Sequence, residues 1–151
     1  MVKEIEIHLP LAAELKERIE RNLKRNKENT GVSSLLKLKD YYVLVLNTKP
    51  PFNKKWIFPS GGVKNHETSE EAVSRETKEE TNLDVTVKNK VCILKPRNLK
   101  NSRIIVYECE AMSDTISPGR NVEAVGLFKT LPADVNPICI EITNCYRDYF
   151  G

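Results

Sequence analysis

Long apolar runs are missing from this sequence. The longest, such as Val43-Leu44-Val45-Leu46, fall far short of the ~20 residues that a bilayer-spanning helix needs, so no membrane association is expected. The first ten residues include Lys3, Glu4, Glu6 and His8 and lack the apolar core of a secretory signal, which points to a cytoplasmic protein. A CxxC pair is missing as well. The four cysteines (Cys92, Cys109, Cys139 and Cys145) are scattered, with no histidine at ligand spacing. Reduced thiols in a cytosolic core fit that pattern best, a disulfide or zinc site being the minor alternative. There is no internal repeat, low-complexity tract or linker rich in Pro, Gly and Ser. The 151 residues therefore imply one domain, with a strand and helix over residues 1–30 extending a core at 31–151. A strong excess of one charge is also lacking. Twenty-four Lys and Arg against 21 Asp and Glu leave +3, too little to expect a nucleic-acid partner and equally suited to an anionic small molecule.

What is present alternates between strand and helix patterns. Ile5 and Ile7 among charged residues imply a short strand over residues 3–8. Leu11, Leu15, Ile19 and Leu23 fall four apart and imply an amphipathic helix over 11–27, either an ordinary surface helix or the face of a homodimer. Residues 32–38 and 41–47 look like a hairpin turned at Lys39-Asp40. The Pro50-Pro51 pair makes 48–55 a loop, and Trp56-Ile57-Phe58 is a short strand entering a turn at Pro59-Ser60-Gly61-Gly62. The clearest helix spans 68–80. Thr68 and Glu71 form a capping box, and Asn82 ends it in a left-handed conformation. Strands follow at 83–87, 90–94, 103–109 and 122–128, with a loop at 112–121 and a closing helix at 134–150. No βαβ rhythm repeats, so a mixed sheet packed between helices is expected.

Glu76, Glu79 and Glu80 occupy i, i+3 and i+4 of the 68–80 helix, so at ~100° per residue all three carboxylates project to one side. Alone, such a cluster is most often a solvated face. The turn before the helix alters that weighting. Small residues there let main-chain groups point at a ligand, and three convergent carboxylates beside them make an all-oxygen site that suits Mg2+ or Mn2+ rather than zinc.

Gly61, Glu67 and then Arg75-Glu76-Thr77-Lys78-Glu79-Glu80-Thr81-Asn82-Leu83 resemble the Nudix box, G-x5-E-x7-R-E-U-x-E-E-x-G-U, where U is aliphatic. The box covers 23 residues, and the strands on either side extend the likeness over most of the chain. Two positions depart from it. Thr77 stands at an aliphatic position, its hydroxyl needing a partner such as the carbonyl of the preceding turn, and Asn82 replaces the glycine after the helix.

The resemblance implies a Nudix-type α/β/α sandwich with a mixed β-sheet between helices. It also implies Mg2+-dependent hydrolysis of a phosphoanhydride bond in a nucleoside diphosphate derivative or a nucleoside triphosphate. Glu76 and Glu80 are then the leading metal ligands, joined by the Ser60 carbonyl. Glu79 either ligates the metal or takes the proton from the attacking water, and Glu123 is an outside candidate for general base. Arg75 and Glu67 brace the turn and aim the glutamates, while Phe58, Gly61 and Gly62 are candidate substrate contacts. Phe58, Trp56 and Tyr42 are otherwise core aromatics, and His66 is expected to be exposed. Two competing classes are a catalytically silent Nudix-fold module that senses a nucleotide or binds a partner, and an RNA-processing member. The first should have lost box carboxylates, and the second should show a broad basic patch.

Overall fold

A computed structural model describes residues 2–8, 16–17, 20–21, 24–49, 54–99 and 101–149. Seven strands share one sheet: β1 (Lys3–Ile7), β2 (Thr30–Leu38), β3 (Tyr41–Asn47), β4 (Ser60–Gly62), β5 (Val85–Pro96), β6 (Arg103–Ala111) and β7 (Val122–Phe128). Helix α1 (Ser69–Thr81) follows β4, and α2 (Pro137–Tyr149) ends the chain. The strand order is β1-β5-β6-β2-β3-β7, with β4 added alongside β2. β1 runs parallel to β5 and β2 parallel to β6, while the other neighbours are antiparallel. The mixed sheet between helices is thus the expected architecture. Most of the amphipathic helix expected over residues 11–27 lies outside the described residues. Lys16, Glu17, Glu20 and Arg21 are helical, and Lys27 opens a 3-10 turn through Asn29.

Each face of the sheet has its own core. Side chains alternate across a strand, so β2 sends Val32, Leu36 and Leu38 one way and Leu35 the other. Val32 and Leu36 join Val43, Ile105, Tyr107 and Cys109 beneath Ala72 and Val73 of α1. Leu35 joins Leu44, Phe58, Val91 and Val106 beneath Ile138, Cys139, Ile142 and Cys145 of α2. All four cysteines are buried and free. Among the described residues no helix is long and apolar enough to cross a membrane.

A split between β2 and β3 positions the site. The two strands pair only at Lys37–Tyr42 and Leu38–Tyr41, next to a turn where Lys39 adopts a positive φ of 55°. Beyond it they diverge, and the chain from Trp56 to Gly62 fills the gap. Ile57 exchanges two main-chain hydrogen bonds with Val45 of β3, at 2.8 and 3.0 Å. The chain then crosses to β2, where Ser60, Gly61 and Gly62 pair with Ser33, Val32 and Gly31. The sequence pattern implied a strand at 56–58 and a turn at 59–62; in the structure Trp56 and Ile57 make isolated bridges, and residues 60–62 form a strand instead of a turn. Small residues do not favour strands by propensity, so only the free edge of β2 makes a strand of them. A second difference is that residues 85–96 form one continuous strand. Register shifts around Lys90 bend it at the place where two strands were expected. The last helix starts at Pro137 rather than residue 134, because a bridge to Trp56 holds Val135 first.

Candidate active site

Helix α1 has few apolar contacts and is held by directed bonds at both ends. The Thr68 hydroxyl accepts from the Glu71 amide at 3.1 Å, and the Glu71 carboxylate accepts from the Thr68 amide at 3.0 Å, completing the capping box. In the same turn the Tyr107 hydroxyl of β6 donates to Glu70 at 2.7 Å and lies 2.6 Å from the Ser69 hydroxyl. Beneath the helix the Thr77 hydroxyl donates to the Val73 carbonyl at 2.6 Å and Thr81 to the Thr77 carbonyl at 2.7 Å. The polar residue at an aliphatic box position is therefore satisfied within its own helix. Asn82 ends the helix with φ 63°, as its place after the box predicts.

Arg75 organises the acidic face. Its Nε and Nη2 form a fork on Glu67, at 3.1 and 2.7 Å, and Nη2 also donates to the Gly62 carbonyl at 2.9 Å. Its Nη1 meets Glu76 at 2.8 Å and Glu79 at 3.4 Å. Glu67 accepts in addition from the Lys64 amide at 2.8 Å. One guanidinium thus ties the loop before the helix, β4 and the helix itself together. The Arg75 bond holds the Glu67 carboxyl below the usual carboxylate range, against an opposing effect of burial.

Glu76 and Glu80 sit in a different environment. Burial raises the Glu76 carboxyl, and Arg75 only partly offsets it. Glu80 is 8% exposed, and burial together with the neighbouring Glu76 charge pushes its carboxyl up to about 9. The Ser60 amide acts against that shift, which puts the main chain of Ser60 beside this carboxylate. Even so, Glu80 Oε1 is buried with no hydrogen-bond partner. A buried acceptor without a donor is costly, and a cation is what such an oxygen lacks. Gly61 fits the same picture. Its φ is not positive, so it serves no left-handed turn. Instead, a Cβ there would overlap the Glu76 carboxylate, so glycine lets that side chain lie directly on β4. At Gly62 a Cβ would meet the Asn26 side chain instead.

The structure brings Ser60, Gly61, Gly62, Glu67, Arg75, Glu76, Glu79 and Glu80 together, but not every expected residue joins them. Among the described residues no three His, Cys, Asp or Glu side chains are already arranged to hold a metal ion; Arg75 engages Glu76 and Glu79 but not Glu80. Phe58 must be withdrawn as a base-stacking surface. It is fully buried in the core under α2, its ring edge-on to Tyr42 at 5.9 Å, because β3 and α2 close over it. Trp56 packs on Phe128, with centroids 4.9 Å apart, and His66 is exposed. Glu123 is exposed at the irregularity where β7 passes β3, with no hydrogen bond or ion pair to the box glutamates.

One part of the site escaped sequence reasoning. The loop at residues 112–121 docks on the C-terminal end of α1. The Ser117, Gly119 and Arg120 amides donate to the Thr81, Glu80 and Glu79 carbonyls, at 3.2, 2.9 and 2.8 Å. The Asn82 side-chain amide donates to the Ser117 hydroxyl at 2.7 Å and carbonyl at 3.2 Å. A Cβ at Gly119 would run into the Glu79 carbonyl. The Pro118-Gly119 pair was the available signal, a tight approach hidden in what looked like an open loop.

With this geometry in place, comparison with known proteins gives a consistent result. The NUDIX domain model matches residues 27–134, most of the chain. The chain belongs to the Nudix hydrolase family. No curated protein matches its sequence. Among solved structures, a NUDIX hydrolase from Nitrosomonas europaea is similar at TM-score 0.73 and 20% identity, over 80% of this chain and 70% of that one. An ADP-ribose pyrophosphatase from Streptococcus suis is similar at TM-score 0.65 and 20% identity, over 81% and 92%. The NUDIX domain of Shewanella oneidensis NrtR, solved in complex with ADP ribose, is similar at TM-score 0.67 and 17% identity, over 81% and 88%.

Proposed function

We propose that this protein hydrolyses the pyrophosphate bond of a nucleoside diphosphate linked to another group, using Mg2+, with Mn2+ as a substitute. The observation that carries this reading is the buried, partnerless Oε1 of Glu80 beside Glu76, whose own carboxylate lies directly on β4 at Gly61. An all-oxygen donor set at that place suits a hard divalent cation. Glu76, Glu80 and the Ser60 main-chain carbonyl would hold it, with Glu79 as a further or water-mediated ligand. When bound, the cation neutralises phosphate oxygens and acidifies water. The remaining work belongs to the chain. Arg75 fixes the direction of Glu76 and Glu79 and keeps the loop at Glu67 closed on the helix. Glu79 is the most exposed of the three box glutamates, which supports it as the group that would take the proton of an attacking water, with Glu123 the alternative base. In-line attack then depends on positioning.

A nucleotide-type small molecule is the expected substrate. ADP-ribose heads the panel because two of the similar structures are named for it. The test is product release from ADP-ribose, other nucleoside diphosphate derivatives and nucleoside triphosphates, with and without Mg2+. Metal-dependent turnover that falls by orders of magnitude in Glu80→Gln is expected. Binding of one of these ligands with no turnover under any metal would instead establish a sensing module.

A further inference from the structure

We infer that Arg120 is a substrate-binding residue, its guanidinium carried on a backbone anchored at the end of the glutamate helix and able to take a phosphate group of the anionic substrate. This inference rests on the proposed hydrolysis of a nucleoside diphosphate derivative. Arg75 spends its donors on Glu67, Glu76 and the Gly62 carbonyl. Lys78 is tied to Asp84 and to the Asn82 carbonyl, each at 3.3 Å. Arg75 is thus engaged in full, Lys78 pairs with the exposed Asp84 beyond the end of the helix, and the face they leave is dominated by carboxylates. A diphosphate approaching that face carries more negative charge than one divalent cation among carboxylates offsets, and a further positive group of the chain would add to its binding.

Arg120 supplies it from a defined position. Its amide donates to the Glu79 carbonyl at 2.8 Å, so its backbone touches the last turn of the helix that carries Glu76, Glu79 and Glu80. Its side chain is exposed and makes no hydrogen bond or ion pair among the described residues. The loop around it is anchored rather than loose. Asn82 holds Ser117, Gly119 closes on the helix, and the Asn121 carbonyl accepts from the Thr48 amide at 3.0 Å. The anchored backbone needs no ordering on binding, and the guanidinium can present two parallel N–H donors to phosphate oxygens. The same contacts give Asn82 a role that glycine cannot fill. Either residue tolerates the left-handed φ, but only asparagine anchors Ser117, so Asn82 acts as a positioning residue for Arg120.

The main-chain bonds of residue 120 survive side-chain truncation, so Arg120→Ala removes the guanidinium and leaves the docking intact. The experiment measures KM and kcat with ADP-ribose and Mg2+ for wild type, Arg120→Ala, Arg120→Lys, Asn82→Gly and, as a remote control on α2, Arg147→Ala. Alongside it, calorimetry follows inorganic pyrophosphate binding at two salt concentrations. KM should rise about ten-fold or more in Arg120→Ala with kcat nearly kept, recover in part in Arg120→Lys, and rise less in Asn82→Gly. Pyrophosphate binding should weaken in parallel and lose part of its salt dependence. If wild type turns over substrate and Arg120→Ala has an unchanged KM, the role of Arg120 is refuted while the hydrolase reading stands. If wild type hydrolyses nothing, that reading fails. Pyrophosphate binding then decides Arg120 alone, weaker binding in Arg120→Ala supporting it and equal binding overturning it.

Discussion

Helices α1 and α2 hold to the sheet by different means. α2 is held by burial: Ile138, Cys139, Ile142 and Cys145 face a core that also contains Leu35, Leu44 and Phe58. α1 buries only Ala72 and Val73 as apolar residues, its other buried positions being Thr77, Glu80 and Thr81. Its hold comes from the capping box, the Tyr107 contacts, the Arg75 hub and three loop amides at its far end. Burial tolerates sliding and rotation, whereas directed bonds fix where a side chain points. The helix with the poorer packing is the one whose orientation matters, and it can devote one side to carboxylates because its ends carry the attachment.

The contrast makes predictions, beginning with the largest expected effect. Ile142→Ala should cost about 2–5 kcal/mol in chemical unfolding, since a fully buried side chain is replaced by a cavity. Activity per folded molecule should change little, and a large loss of kcat in the folded fraction would erase the division between the helices. Gly61→Ala should do the reverse. The added methyl displaces the Glu76 carboxylate, and a shift of about 1 Å at a reacting site costs roughly 100-fold in rate, so kcat should collapse with a modest change in stability. Unaltered turnover would remove Glu76 from the site. Thr68→Ala should lose about 1 kcal/mol by removing the cap. The sharper expectation there is faster hydrogen exchange in the first turn of α1 with none in α2.

Much of α1 was legible in the sequence because its signals are local. The capping box, the Thr77 hydroxyl and the left-handed Asn82 depend on neighbours within four residues, and each stands in the structure as read. What escaped reading depends on distant partners. Ser60, Gly61 and Gly62 are a strand only because β2 and β3 diverge and leave an edge open. Phe58 stacks on no ligand because α2, some 80 residues later in the chain, helps to cover it. The docking of residues 117–120 satisfies carbonyls that every helix end leaves open, yet nothing in the loop's composition says which helix it caps. The carboxylate triad was visible through spacing, while its unequal burial was not. That inequality, with Glu80 enclosed and Glu79 more open, is what the proposed division into a metal-holding and a proton-accepting glutamate rests on.

The most direct test of the account is the melting temperature of wild type and Glu80→Gln, each in chelator and in rising Mg2+ or Mn2+, without substrate. In chelator Glu80→Gln should melt higher than wild type, because it removes a charge that is buried beside Glu76 with one oxygen unpartnered. The metal should then raise the wild-type value and leave the variant where it was. An equal rise in both proteins would place the cation elsewhere and contradict the claim that Glu80 is built to hold it.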